Sequence, residues 1–110
     1  MLSKRARIEV YLPDKNSGLY KRLRSAIESE FLFTFGGCTV IKEIKGLYLR
    51  SGTRPEHDKI ALVYADVPMG MDENRGDITE YADAIREAIE EALPEQSVLL
   101  VVHEVYHSLK

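Results

Sequence analysis

Ala6, Ile8, Val10 and Leu12 alternate with Arg7, Glu9 and Tyr11, the period of two expected of a half-buried strand, and Pro13 stops the run. The segment DKNSG then supplies a turn in which Asn16 or Ser17 is placed to cap a helix. Leu19, Leu23, Ile27 and Phe31, supported by Tyr20 and Ala26, recur at helical spacing, and Lys21, Arg22 and Arg24 lie off that stripe as a basic outer face. From Cys38 the pattern turns to β: CTVIKEIKGLYLR is rich in branched residues, with Gly46 expected at a bulge or bend. SGTRPEHD is a polar connector into KIALVYADV, apolar on both faces as a central strand is. PMGMDENRGD reads as an irregular loop. Asp77 followed by Glu80 is a capping-box signature for a second helix, ITEYADAIREAIEEAL. Its expected buried stripe is Ile78, Tyr81, Ala82, Ile85, Ala88, Ile89 and Leu93, with Asp83, Glu87, Glu90 and Glu91 toward water and Pro94 at its end. The last strand is SVLLVVHEVYH.

The order β-α-β-β-α-β predicts a ferredoxin-like α+β sandwich: a four-stranded antiparallel sheet, ordered 4-1-3-2, with both helices on one face. The last strand is apolar on both sides, with Val98, Leu100 and Val102 on one and Leu99, Val101 and Val105 on the other. A sheet face that is apolar and uncovered usually packs against something, and a second copy of the chain is the simplest candidate.

A length of 110 residues fits one domain, residues 1–110, of a size that gains from pairing with another copy. The single cysteine leaves no intramolecular disulfide and fits a reducing compartment. The start, MLSKRARIEVYL, lacks the apolar run of a secretory leader, and no stretch approaches the roughly 18 apolar residues of a membrane span. The expectation is a cytoplasmic protein with no membrane association. The net charge of -3 hides an asymmetry: residues 1–59 hold 12 Lys/Arg against 7 Asp/Glu, and residues 60–110 hold 3 against 11. Pairing of the two halves, within a chain or across a dimer, accounts for this more simply than nucleic acid.

Four motifs invite chemistry that their context refuses. In FLFTFGGCTV, residues 31–40, the glycines follow a helix, where they stop it in left-handed backbone rather than cradle phosphate at a positive helix end. The same negative end disfavours a thiolate at Cys38, so no catalytic cysteine is expected. HEVYH, from His103 to His107, matches H-E-x-x-H, but in a strand the two histidines stand about 13 Å apart with Glu104 on the other face. DENRGD fails the calcium-loop spacing, and Asp77 of the RGD tripeptide reads as a helix cap. Glu56, His57 and Asp58 read as exposed hairpin polarity, so neither metal nor cofactor is expected.

One constellation remains. The open face of the first strand shows Arg7, Glu9 and Tyr11, to which neighbouring strands add Tyr64 and His103. Aromatic residues on the central strands of this fold are where RNA-recognition modules stack bases, but KIALVYADV lacks their signature. Tyr11, Tyr64, His103 and His107 are therefore the candidate ligand-binding residues, at an interface or a small-molecule pocket.

FTFGGCTVIKEIKGLYLRSGTRPEHDKIALVYADV, with the later EALPEQSVLLVVHEVY, resembles small uncharacterised bacterial proteins of ferredoxin-like type. The resemblance implies the fold and transfers no functional residue. The expected function is a self-associating ligand-sensing or assembly module, a homodimer first. The alternative is a cofactor-free enzyme of the dimeric α/β-barrel kind, with a histidine as general base. RNA binding on the open face ranks third.

Overall fold

A computed structural model describes residues 1–48, 56–94 and 98–108. The elements run β1 (Leu2–Pro13), α1 (Gly18–Phe35), β2 (Thr39–Tyr48), β3 (Glu56–Val67), α2 (Met71–Ala92) and β4 (Leu99–Ser108). The strands form one antiparallel sheet ordered β2-β3-β1-β4, the predicted ferredoxin-like topology. Ala6, Ile8, Val10 and Leu12 are all buried, so the alternation in β1 directs one face to the helices. Ala61, Val63, Ala65 and Val67 of β3 join them, and Ile27 and Phe31 of α1 with Ile78 and Ile89 of α2 and Leu93 just after it close the core.

Helix α1 ends as its glycine predicts. Gly36 sits at φ 82°, ψ 0°, and its N–H donates to Leu32 O at 2.9 Å. Ser17 occupies the N-cap position in extended backbone but its side chain makes no capping bond. The stripe is narrower than expected: Leu23, Ile27 and Phe31 pack inward with Tyr20 and Phe35, while Leu19 and Ala26 are exposed. Arg24 does not face water either, because the turn brings Asp14 to 3.6 Å from it.

Three further expectations are corrected. Helix α2 begins at Met71, six residues before the capping-box aspartate, so most of PMGMDENRGD is helical. Met71 packs against the core, Asp72 and Glu73 suit the positive helix end, and Asn74 leaves helical geometry (φ -126°, ψ 19°) to kink the axis. Asn74 Nδ2 donates to Gly70 O at 3.2 Å, tying the first turn together across that kink. Asp77 therefore lies inside the helix and not at its cap. Ala88, expected in the stripe, is exposed. The β2 bulge falls at Lys42 and Glu43, between Ile41 and Ile44, while Gly46 pairs regularly with Asp58. Glu43 adopts φ 60°, and its freed N–H donates to Asp14 Oδ2 at 2.8 Å. A side chain able to take that N–H, rather than a glycine, decides where the bulge forms.

The radius of gyration is 15.2 Å and the longest extent 46 Å, against about 13 Å expected for a compact chain of this length. Burial fades in β3 before Ala61: residues 56–60 carry no fully buried side chain. Among the described residues no helix is long and apolar enough to cross a membrane. Residues 51–55 of the expected polar connector SGTRPEHD lie outside the described residues, as do 49–50 and 95–97, while Glu56, His57 and Asp58 of that connector open β3.

Candidate binding face

The pairing register sets which side chains share the open face. Arg7 stands opposite Asp66 on β3 and His103 on β4; Glu9 stands opposite Tyr64 and Val101; Tyr11 stands opposite Leu62 and Leu99. Ser3 stands opposite His107. Tyr11, Tyr64, His103 and His107 are thus on one face, the side away from the helices, as strand alternation predicts. Tyr106 and Glu104 of the same motif point the other way, and Tyr106 Oη donates to Glu104 at 2.9 Å. HEVYH is strand.

The face holds two hydrogen-bonded groups. Arg7 grips Asp66 with both arms, Nε to Oδ1 at 2.6 Å and a terminal nitrogen to Oδ2 at 3.0 Å, and its guanidinium lies 4.2 Å above the Tyr64 ring. His107 Nε2 stands 2.7 Å from Asp66 Oδ2. In the second group Glu9 Oε1 accepts from Tyr11 Oη at 3.4 Å and lies 3.3 Å from His103 Nε2. The hydrogen bonds from Arg7 hold the Asp66 carboxyl below its ordinary range, opposed by burial and aided by His107. The same bonds push the Arg7 guanidinium up. Burial, with Glu9 beside it, pushes the Tyr11 phenol up.

Around these polar groups lie Leu62, Leu99, Val101 and Val105 of the same face. Among the described residues no helix lies over this face: Leu99, the first residue of the edge strand β4 and in register with Tyr11, is 57% exposed, Val101 and Val105 are half-buried, and Leu62 between β1 and β2 is buried at 8%. Arg5, also on this face, has an Nε that is shut from solvent and has no hydrogen-bond partner among the described residues. Asp66 and Arg7 are the residues that sequence reasoning underused. Alternation from Tyr64 already places Asp66 on the open face, but their pairing depends on register, which composition does not encode.

A histidine held by a carboxylate beside a tyrosine is geometry suited to proton transfer. His103 is exposed, its side chain 43% accessible, and two clefts lie away from it: one along α2 at Gly76, Glu80 and Asp83, the other at the β1–α1 turn. Among the described residues no three His, Cys, Asp or Glu side chains gather as a metal site. Glu56, His57 and Asp58 alternate between faces of β3, which separates them. Cys38 lies near Glu28 O at 3.9 Å, and burial pushes its thiol up, away from the reactive thiolate.

The geometry defines a ferredoxin-like α+β chain with a half-polar, uncovered sheet face. No family model and no curated protein matches it. Its fold is similar to CPII, a nitrogen regulatory PII-like protein from Thiomonas intermedia K12 solved with ADP, AMP and bicarbonate: TM-score 0.56, 16% identity, 100% of this chain and 99% of that one. It is similar also to CutA1 from Oryza sativa, with TM-score 0.62, 17% identity, 96% of this chain and 84% of that one. A phage SAM lyase in complex with S-methyl-5′-thioadenosine aligns at TM-score 0.61 and 11% identity, over 96% of this chain and 88% of that one. At these identities the likeness is one of fold.

Proposed function

We propose that the chain is a small ligand-sensing module that assembles with copies of itself through the open sheet face. The observation that carries this is the face itself: exposed Leu99 with half-buried Val101 and Val105 around two polar groups, and no described helix over them. A second copy removes Leu99 and Val101 from water. The start of β3 supports the same reading, since residues 56–60 carry no fully buried side chain and would gain burial on a neighbour. A dimer is the simplest closed arrangement. The ligand site is then the polar centre of that junction, at Tyr11, Tyr64, His103 and His107. Two of the similar structures hold adenosine compounds, ADP with AMP in one and S-methyl-5′-thioadenosine in another, which makes adenine nucleotides the first ligands to try.

Assembly makes thermal stability depend on protein concentration. Melting followed from low to high micromolar chain is expected to shift upward, and a midpoint independent of concentration contradicts the assembly. Calorimetric titration with AMP tests the ligand part. Tyr64→Ala is expected to weaken binding at least tenfold; equal affinity in wild type and variant moves the ligand off this face.

A further inference from the structure

The cleft at the β1–α1 turn lies on the helix side of the sheet and is independent of the open face. It measures about 360 Å³ and is lined by Lys15, Lys21, Arg24, Lys42 and Lys59 against only Asp14 and Glu43, with Asn16 at its edge. Those two acids do not neutralise it. Asp14 is already taken, by Arg24 at 3.6 Å and by the Glu43 N–H at 2.8 Å, and its own N–H donates to Lys59 O at 2.8 Å. Asp14 therefore works as the hinge-pin of the cleft: it locks the β1–α1 turn to the β2 bulge, to α1 and to β3. Lys21, Lys42 and Lys59 make no ion pair among the described residues.

The placement of these cations is costly to the free chain. Lys59 stands directly opposite Lys45 across the β2–β3 pair, a like-charge juxtaposition that destabilises a sheet. The bulge holds Glu43 at φ 60°, a conformation that a side-chain-bearing residue rarely adopts. Helix α1 starts at Gly18, in the same turn, so its positive end adds to the field. Meanwhile the acidic residues of α2 stand elsewhere: Asp83 and Glu90 pair with Arg86 on their own helix. An arrangement that gathers five cations against two acids, leaves Lys21, Lys42 and Lys59 without an ion pair among the described residues and fixes the backbone between them is organised for an anion of several charges.

We infer that this cleft binds the phosphate groups of a small polyphosphate, either inorganic pyrophosphate or the diphosphate of a nucleotide. A volume of about 360 Å³ suits a ligand of that size, and the cations line one pocket rather than a track along a surface. A single carboxylate would leave most of the ammonium groups unmatched. The site does not depend on self-association, and a monomeric chain retains it.

The test is isothermal titration of the full chain with inorganic pyrophosphate, and in parallel with ADP and with adenosine. Binding by wild type is expected to weaken as salt rises and to fall at least tenfold in Lys21→Ala/Lys42→Ala/Lys59→Ala, with the far-UV dichroism unchanged. Lys4→Ala/Arg75→Ala/Arg86→Ala removes the same formal charge away from the cleft and is expected to keep wild-type affinity. ADP binding through the same three lysines, with adenosine silent, supports a nucleotide source; pyrophosphate binding at least as tight as ADP supports the free anion. Three results overturn the inference: no binding by wild type at millimolar pyrophosphate, equal loss in both triple variants, or a single-stranded oligonucleotide bound more tightly than either small ligand through the same lysines.

Discussion

Asp66 is the best-connected polar residue of the open face, with two bonds from Arg7 and one contact from His107. Its carboxyl is held below the ordinary range, so the unfolded chain takes up its proton at higher pH than the folded one. The stability it contributes is therefore fully present above the unfolded value, about pH 4, and is lost as pH falls through the lower folded value. Asp66→Asn is expected to cost about 1 kcal/mol at pH 7, seen in urea unfolding, and to flatten the acid limb of the stability profile. An unchanged acid limb refutes the role. Cys38 gives a second residue-scale outcome. Its thiol is pushed up by burial, so alkylation by iodoacetamide at pH 7 is expected to run slower than for free cysteine; a faster rate would revive a reactive thiol. Strand period made the inner face of β1 legible and put His103 and His107 on one side of β4, but whether Tyr64 and His103 join Tyr11 depended on register, which the pairing supplies. Their partners were not legible, since Arg7–Asp66 and Glu9–His103 join residues far apart in sequence whose alignment is set by how the strands pack.

At the scale of elements, the glycine pair after α1 offers a controlled comparison. Added Cβ atoms at Gly36 and Gly37 both meet open space, but only Gly36 has a left-handed φ, of 82°. Gly36→Ala is expected to lower stability by about 1 kcal/mol in thermal or urea unfolding, and Gly37→Ala to leave it near wild type. Equal effects would mean that the cap does not depend on backbone conformation. Element order and strand order were legible for the same reason that this cap was: period, cap chemistry and chain connectivity leave few alternatives. The start of α2 was not. Its first turn is polar and aperiodic, and it is held by the Asn74 bond to Gly70 and by Met71 reaching the core, neither of which a helical stripe reveals. The β2 bulge escaped likewise, because its determinant, Asp14, lies 29 residues away in sequence.

For the whole molecule, the charge asymmetry between the two halves is only partly resolved within the chain. Lys4–Asp72 and Arg7–Asp66 join the halves, while the cations of the β1–α1 cleft and the acids along α2 remain on separate surfaces. Between the helices Tyr81 Oη donates to Glu30 at 3.0 Å and the Tyr81 ring lies against Phe35, centroids 5.3 Å apart, with burial lifting the Tyr81 phenol to about 12. Those contacts settle the helix layer on one side of the sheet and leave the opposite side bare, which is why the account turns on what covers it. Multi-angle light scattering of wild type beside Leu99→Asp/Val101→Asp reads that directly. The account predicts a wild-type mass at a multiple, two or more, of the 12.5 kDa chain, and 12.5 kDa for the variant with its dichroism unchanged. A wild type of 12.5 kDa at tens of micromolar, or a variant that keeps the wild-type mass, contradicts it.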